Sequence, residues 1–111
     1  MGNEPDILNN MLQELRRGTL VLSVLSQLAK AQYGYSLIQS LEEKGISIEA
    51  NTLYPLLRRL EAQGLLESKW DTEETRPRKY YLLSPLGEDI YRRLCAEWKS
   101  MAQSVDRLIE G

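Results

Sequence analysis

The sequence predicts a mainly α-helical fold with one two-stranded β-hairpin, and three observations carry that prediction. Apolar residues recur at helical spacing in four stretches. Two of those stretches stop at a glycine and flank a tight turn. Two β-patterned segments follow around a basic, proline-containing loop, and a Ser-Pro start signal then opens a long last helix. The chain has 111 residues, of which 42% are apolar and 27% charged, which fits one domain with a modest core.

The first stretch, 6–30, places Leu8, Leu12, Leu15, Leu22 and Leu25 at spacings of three, four and seven. Gly18 interrupts it at a cost of roughly 1 kcal/mol against alanine. Beyond Gly18 the run Leu20-Val21-Leu22 and Val24-Leu25 is apolar nearly all round, as expected of a buried core helix. A second helix, 34–44, has Leu37, Ile38 and Leu41 on one face, with Gly45 as its stop. The third, 50–63, groups Leu53, Leu56, Leu57 and Leu60 on one side and stops at Gly64. Pro55 is awkward inside it, because proline has no N–H to give, and capping rules alone would start the helix nearer Thr52.

In the hairpin, Leu66 and Trp70 share one face of the first strand, and Glu67 and Lys69 the other. The second strand is 79–83, and 71–77 joins them as a wing. Ser84 is a good N-cap and Pro85 fits the first helical position. The last helix should reach about Ile109. Its residues Leu94, Trp98, Met101, Val105 and Leu108 are spaced four, three, four, three, the pattern of a heptad seam. The order is that of a winged helix-turn-helix (1–84, with the N-terminal helix also serving a dimer) followed by a dimerisation helix (85–111). Leu8, Leu12 and Leu15 join the five seam residues as the expected dimer interface.

Several functions are excluded by what the chain lacks. It has no histidine and a single cysteine, Cys95. No internal disulfide can form, and neither a metal centre nor a cysteine-histidine nucleophile can be assembled, so no enzyme, metal or cofactor is expected. No apolar run is long enough to span a membrane, and the polar, acidic N-terminus lacks the features of a signal peptide, so a cytoplasmic protein without a membrane partner is expected. The net charge of −2 argues against coating nucleic acid indiscriminately. It leaves room for a local basic patch.

The third helix supplies the first such candidates. Opposite its leucines stand Asn51, Pro55, Arg58 and Ala62, flanked by Thr52, Tyr54 and Arg59. Asn, Thr and Tyr near a helix N-terminus can bond base edges or phosphates, and Arg can take guanine bidentately. For an isolated helix this would be an ordinary solvated face; the helix-turn-helix context favours recognition. In the wing, Arg76, Arg78 and Lys79 put three cations within four residues, and Pro77 stiffens the tip. Such a finger can lie along a phosphate backbone or enter a minor groove. Asp71, Glu73 and Glu74 in the same loop oppose this unless they point away. Arg16 and Arg17 read as solvated. Trp98 on the seam reads first as interface packing. Near a two-fold axis it would also meet its own copy, and two facing indoles can sandwich a flat aromatic molecule, with Leu94 and Ala102 one turn to either side.

Together these segments resemble the PadR family of bacterial transcriptional regulators over nearly the whole chain. The matching stretches are Arg17-Gly18-Thr19-Leu20, Tyr33-Gly34-Tyr35, Thr52-Leu53-Tyr54-Pro55-Leu56-Leu57-Arg58-Arg59-Leu60, Gly64-Leu65-Leu66, Arg76-Pro77-Arg78-Lys79-Tyr80-Tyr81 and Leu83-Ser84-Pro85-Leu86-Gly87. The single C-terminal helix is similar to that of the small subfamily. The resemblance implies a homodimeric repressor that binds double-stranded DNA at a palindromic operator. It further implies release by a phenolic acid or a flat hydrophobic compound held between paired Trp98 rings. It gives Tyr33, Tyr35, Thr52, Tyr54 and the wing cations DNA-facing roles. Tyr33 stands where many members carry His, and Thr75 where many carry Gly. Two other functions fit the same fold: a winged-helix protein-interaction module, and a small-molecule binder with no role on DNA.

Overall fold

The computed structural model describes residues 3–73 and 75–111; Met1, Gly2 and Glu74, one of the acids expected in the wing loop, lie outside that description. The elements are α1 (Glu4–Arg17), α2 (Leu20–Ser26), β1 (Gln32–Tyr33), α3 (Gly34–Glu43), α4 (Ala50–Ala62), β2 (Leu66–Asp71), β3 (Arg78–Leu83) and α5 (Pro85–Glu110). The winged helix-turn-helix order holds, with three differences from expectation.

The first stretch is two helices rather than one interrupted helix. The Thr19 N–H and hydroxyl both turn back to the Arg16 carbonyl, at 3.0 and 2.8 Å, which closes α1. α2 then ends at Ser26 instead of Lys30, and Leu28 beyond it is still fully buried. Second, the sheet has three strands in the order β1-β3-β2, not two. Gln32 and Tyr33 pair antiparallel with Tyr81 and Tyr80. Two residues are too few to show a period, so no pattern announces β1. Third, the strands run farther into the wing than expected, because Asp71 and Arg78 are themselves a register pair.

α3 and α4 end alike. The Ile46 N–H reaches the Leu41 carbonyl at 2.8 Å and the Gly45 N–H reaches Glu42 at 3.0 Å. At the end of α4, Leu65 reaches Leu60 at 3.0 Å and Gly64 reaches Glu61 at 2.9 Å. Both are Schellman closures, which place Gly45 and Gly64 at φ +91° and +83°. α4 begins at Ala50 rather than Thr52, with Glu49 extended before it. Pro55 is tolerated because it sits on the exposed side, and only the Asn51 carbonyl loses an N–H partner to it.

The core joins Val24, Leu25 and Leu28 to Leu37 and Leu41 of α3, to Leu53, Leu56, Leu57 and Leu60 of α4, and to Leu66, Tyr81 and Leu83 of the sheet. Ser84 ties three elements together. Its hydroxyl donates to the Gly64 carbonyl at 2.6 Å and accepts from the Gly87 N–H at 2.9 Å, while its own N–H donates to Leu65 at 3.0 Å. Gly87 is buried there, and a Cβ on it would strike the Leu65 carbonyl oxygen.

α1 buries none of its residues, and only the first part of α5, through Tyr91 and Leu94, packs on the core. The radius of gyration is accordingly 16.6 Å, against about 13 Å for a compact chain of this length. Among the described residues, no helix is long and apolar enough to cross a membrane.

Candidate nucleic-acid interface

Strand alternation divides the wing into two faces. Leu66, Ser68 and Trp70 of β2 lie across from Leu83, Tyr81 and Lys79 of β3 on the face toward α4. Burial falls off outward along this face. Leu66 is 3% exposed, whereas Trp70, two pairs farther out, is 63% exposed. Sharing a face with Leu66 therefore does not place Trp70 in the core, because the sheet projects past it. The other face carries the Asp71–Arg78 and Lys69–Tyr80 pairs.

Each face is fastened to a helix or to the third strand. On the inner face, Glu61 of α4 accepts hydrogen bonds from the Ser68 hydroxyl and, at 3.2 Å, from the Lys79 ammonium. The Ser68 bond, with help from Lys79 and against partial burial, holds the Glu61 carboxyl below its ordinary value of 4.5. Burial works against the Lys79 charge, but Glu61 and Tyr81 outweigh it and raise its pKa. Lys79 also lies over the rings of Tyr81 and Trp70, at 5.3 and 6.0 Å. On the outer face, the Tyr33 hydroxyl donates to Asp71 at 2.7 Å, the Glu73 N–H donates to the same carboxylate at 3.1 Å, and the Arg78 guanidinium stacks over the Tyr33 ring at 4.8 Å. The Tyr33 bond, then the Glu73 bond, then the Arg78 charge hold Asp71 below its ordinary 3.8 against slight burial. Asp71 is thus an internal partner of the wing, which answers part of the repulsion expected from its acids.

Between the wing and the helix-turn-helix lies an open groove of ≈ 270 Å³ lined by Tyr33, Gly34, Tyr35, Tyr54, Trp70, Arg78, Lys79 and Tyr81. Five of the nine DNA-facing residues expected from sequence meet here: Tyr33, Tyr35, Tyr54, Arg78 and Lys79. Gly34 admits the Tyr54 ring, which a Cβ would overlap. Asn51, Thr52 and Arg58 stand exposed on α4, and Arg76 is exposed in the wing loop. Charge, hydroxyls and aromatic faces on one surface are groups that can hold phosphates and sugars, and exposed polar side chains such as those of α4 are of the kind that can bond base edges. Trp70 and Glu61 were not among the expected site residues. Their contacts with Lys79 are made by the hairpin register, and no local spacing reveals them.

The other expected residues lie away from the groove. Leu8 and Leu15 are exposed on α1, and Leu12 is half-buried. On α5, Trp98 is 46% exposed and Met101, Val105 and Leu108 are more or similarly open. Ala102 is half-buried, and Leu94 is partly taken up by the chain's own core. Among the described residues, no cluster of three or more Cys, Asp or Glu side chains is placed to hold a metal ion.

Comparison with known proteins matches this architecture. The model of the transcriptional regulator PadR-like family matches residues 21–93. The crystal structure of a PadR family transcriptional regulator from Eggerthella lenta is similar with a TM-score of 0.90 and 53% identity, covering 96% of this chain and 95% of that one. A transcriptional regulator from Clostridium thermocellum is similar with a TM-score of 0.78 and 31% identity, over 85% and 96% of the two chains. A transcriptional regulator of Mycobacterium tuberculosis is 36% identical over 68% of this chain and 72% of its own length. With the family model spanning the helix-turn-helix, the wing and the start of α5, the chain belongs to the PadR-like family of transcriptional regulators, which are DNA-binding regulators and not enzymes.

Proposed function

We propose that the chain is a homodimeric repressor acting on a palindromic operator in the cytoplasm. The observation that carries this reading is the groove, which unites Tyr33, Tyr35, Tyr54 and Arg78 beside the exposed Asn51, Thr52 and Arg58 face of α4. In this reading α4 enters the major groove with its N-terminal residues toward the bases, and the wing follows the flanking backbone. The apolar stripes of α1 and α5 pair across a two-fold axis, which sets two half-sites about one DNA turn apart. Trp98 from each chain then flanks the axis, and a flat aromatic effector between the two rings shifts the dimer away from its DNA-binding geometry.

The test is a gel shift on the DNA upstream of the chain's own operon, across a salt series and with candidate aromatic ligands. With roughly four phosphates neutralised per chain, log affinity should fall against log salt with a slope of about −7. A slope near zero rules out the reading. A ligand that quenches Trp98 without weakening the DNA complex removes the effector part alone.

A further inference from the structure

We propose that Glu61 is a positioning residue for DNA recognition, joining α4 to both strands of the wing and withholding Lys79 from the phosphate backbone. The proposal rests on the DNA-binding reading above and alters one part of it, the expectation that every wing cation meets a phosphate.

Glu61 lies in the last turn of α4, and its two oxygens are divided between the strands. Oε2 accepts from Ser68 of β2, and Oε1 accepts from Lys79 of β3. One carboxylate therefore sets the distance from the recognition helix to each strand of the hairpin. The Glu61 and Lys79 side chains are about one-third exposed, at 32% and 31%, and a pair that open adds little to global stability. Geometry is what it fixes. Lys79 is also held by the rings of Tyr81 and Trp70, so three groups turn its ammonium toward α4.

This makes an expectation opposite in sign to simple electrostatics. A carboxylate near DNA repels it, so its removal should strengthen binding to every sequence. If Glu61 positions the wing, its removal should instead separate specific from non-specific binding. The experiment uses the full-length protein and two duplexes: one recovered by the wild type from random-sequence DNA, and one scrambled control. For Glu61→Gln we expect about five- to tenfold weaker binding to the selected duplex and unchanged or slightly tighter binding to the control. The salt slope on the control should steepen by about 1.8, as a released Lys79 in each chain reaches one more phosphate. Equal strengthening on both duplexes, or no change on either, overturns the proposal.

Lys79→Met keeps the side-chain bulk and guards against misfolding of the first variant, with far-UV circular dichroism as the check. It should weaken the selected complex several-fold and leave the salt slope unchanged. A slope flatter by about 1.8 would mean that Lys79 contacts a phosphate, and the proposal fails. Recovery of no duplex by the wild type would instead sink the DNA-binding reading itself.

Discussion

The head of the molecule and its two outer helices treat the same residue types in opposite ways. In the head, Val24, Leu25, Leu37, Leu53 and Leu57 are completely buried. Along α1 and the far part of α5, Ile7, Leu8, Met11, Leu15, Met101, Val105 and Leu108 are all about half exposed or more. Both regions follow helical periodicity, so pattern does not separate them. What separates them is whether the chain supplies its own cover. Burying a side chain of this kind is worth about 1.5–3 kcal/mol, and a contiguous exposed stripe marks an interaction surface. The head covers its own apolar residues, and the outer helices leave theirs exposed.

The largest expected effect lies in the head. Leu57→Ala should cost about 3 kcal/mol through lost burial and a cavity, read from chemical denaturation at any protein concentration. Gly87→Ala comes next, at about 2 kcal/mol, since its Cβ must displace the Leu65 carbonyl and the start of α5 with it. On the seam, Met101→Asp should change the stability of the isolated chain by less than ~0.5 kcal/mol. With α1 and α5 pairing as proposed, it should nevertheless abolish the rise of Tm with protein concentration that such a dimer gives, and sedimentation should then report a monomer. A Met101→Asp protein that still sediments as a dimer, or that loses stability like Leu57→Ala, would break the contrast between the regions.

The smallest effect is acidic loosening of the wing. Glu61 and Asp71 have folded-state pKa values below their ordinary 4.5 and 3.8. Their contribution is complete above about pH 4.5 and is lost as pH falls through the depressed values. In a Trp98→Phe background, Trp70 emission should shift below pH 4.5 before far-UV circular dichroism changes. A coincident loss of both signals would show that the wing is not held separately by these carboxylates.

Much of the head is legible in the sequence because its signals are local. Gly45 and Gly64 close their helices where left-handed backbone is required, Ser84-Pro85 opens α5, and the four leucines of α4 face inward together. The site is legible only in part. The exposed face of α4 follows from the position of its leucines, and the wing cations from composition. Tyr33 and Tyr35 follow from the family resemblance and from no rule of spacing. Glu61, Asp71 and Trp70 escaped because their surroundings depend on hairpin register, which brings Lys79 to Glu61 and Tyr33 to Asp71 across long stretches of chain. Strand alternation gave Trp70 its correct face and could not say that the core ends before reaching it.

The joint at Ser84 has a mechanical consequence. Its hydroxyl holds the final carbonyl of the α4 cap and, at the same time, the first turn of α5. α5 stays packed on the core through Tyr91 and Leu94, so Trp98 stands only about 6 Å beyond its last core contact at 1.5 Å per residue. The joint therefore couples the start of α5 to the C-terminal end of α4, the end of that helix far from Asn51 and Thr52.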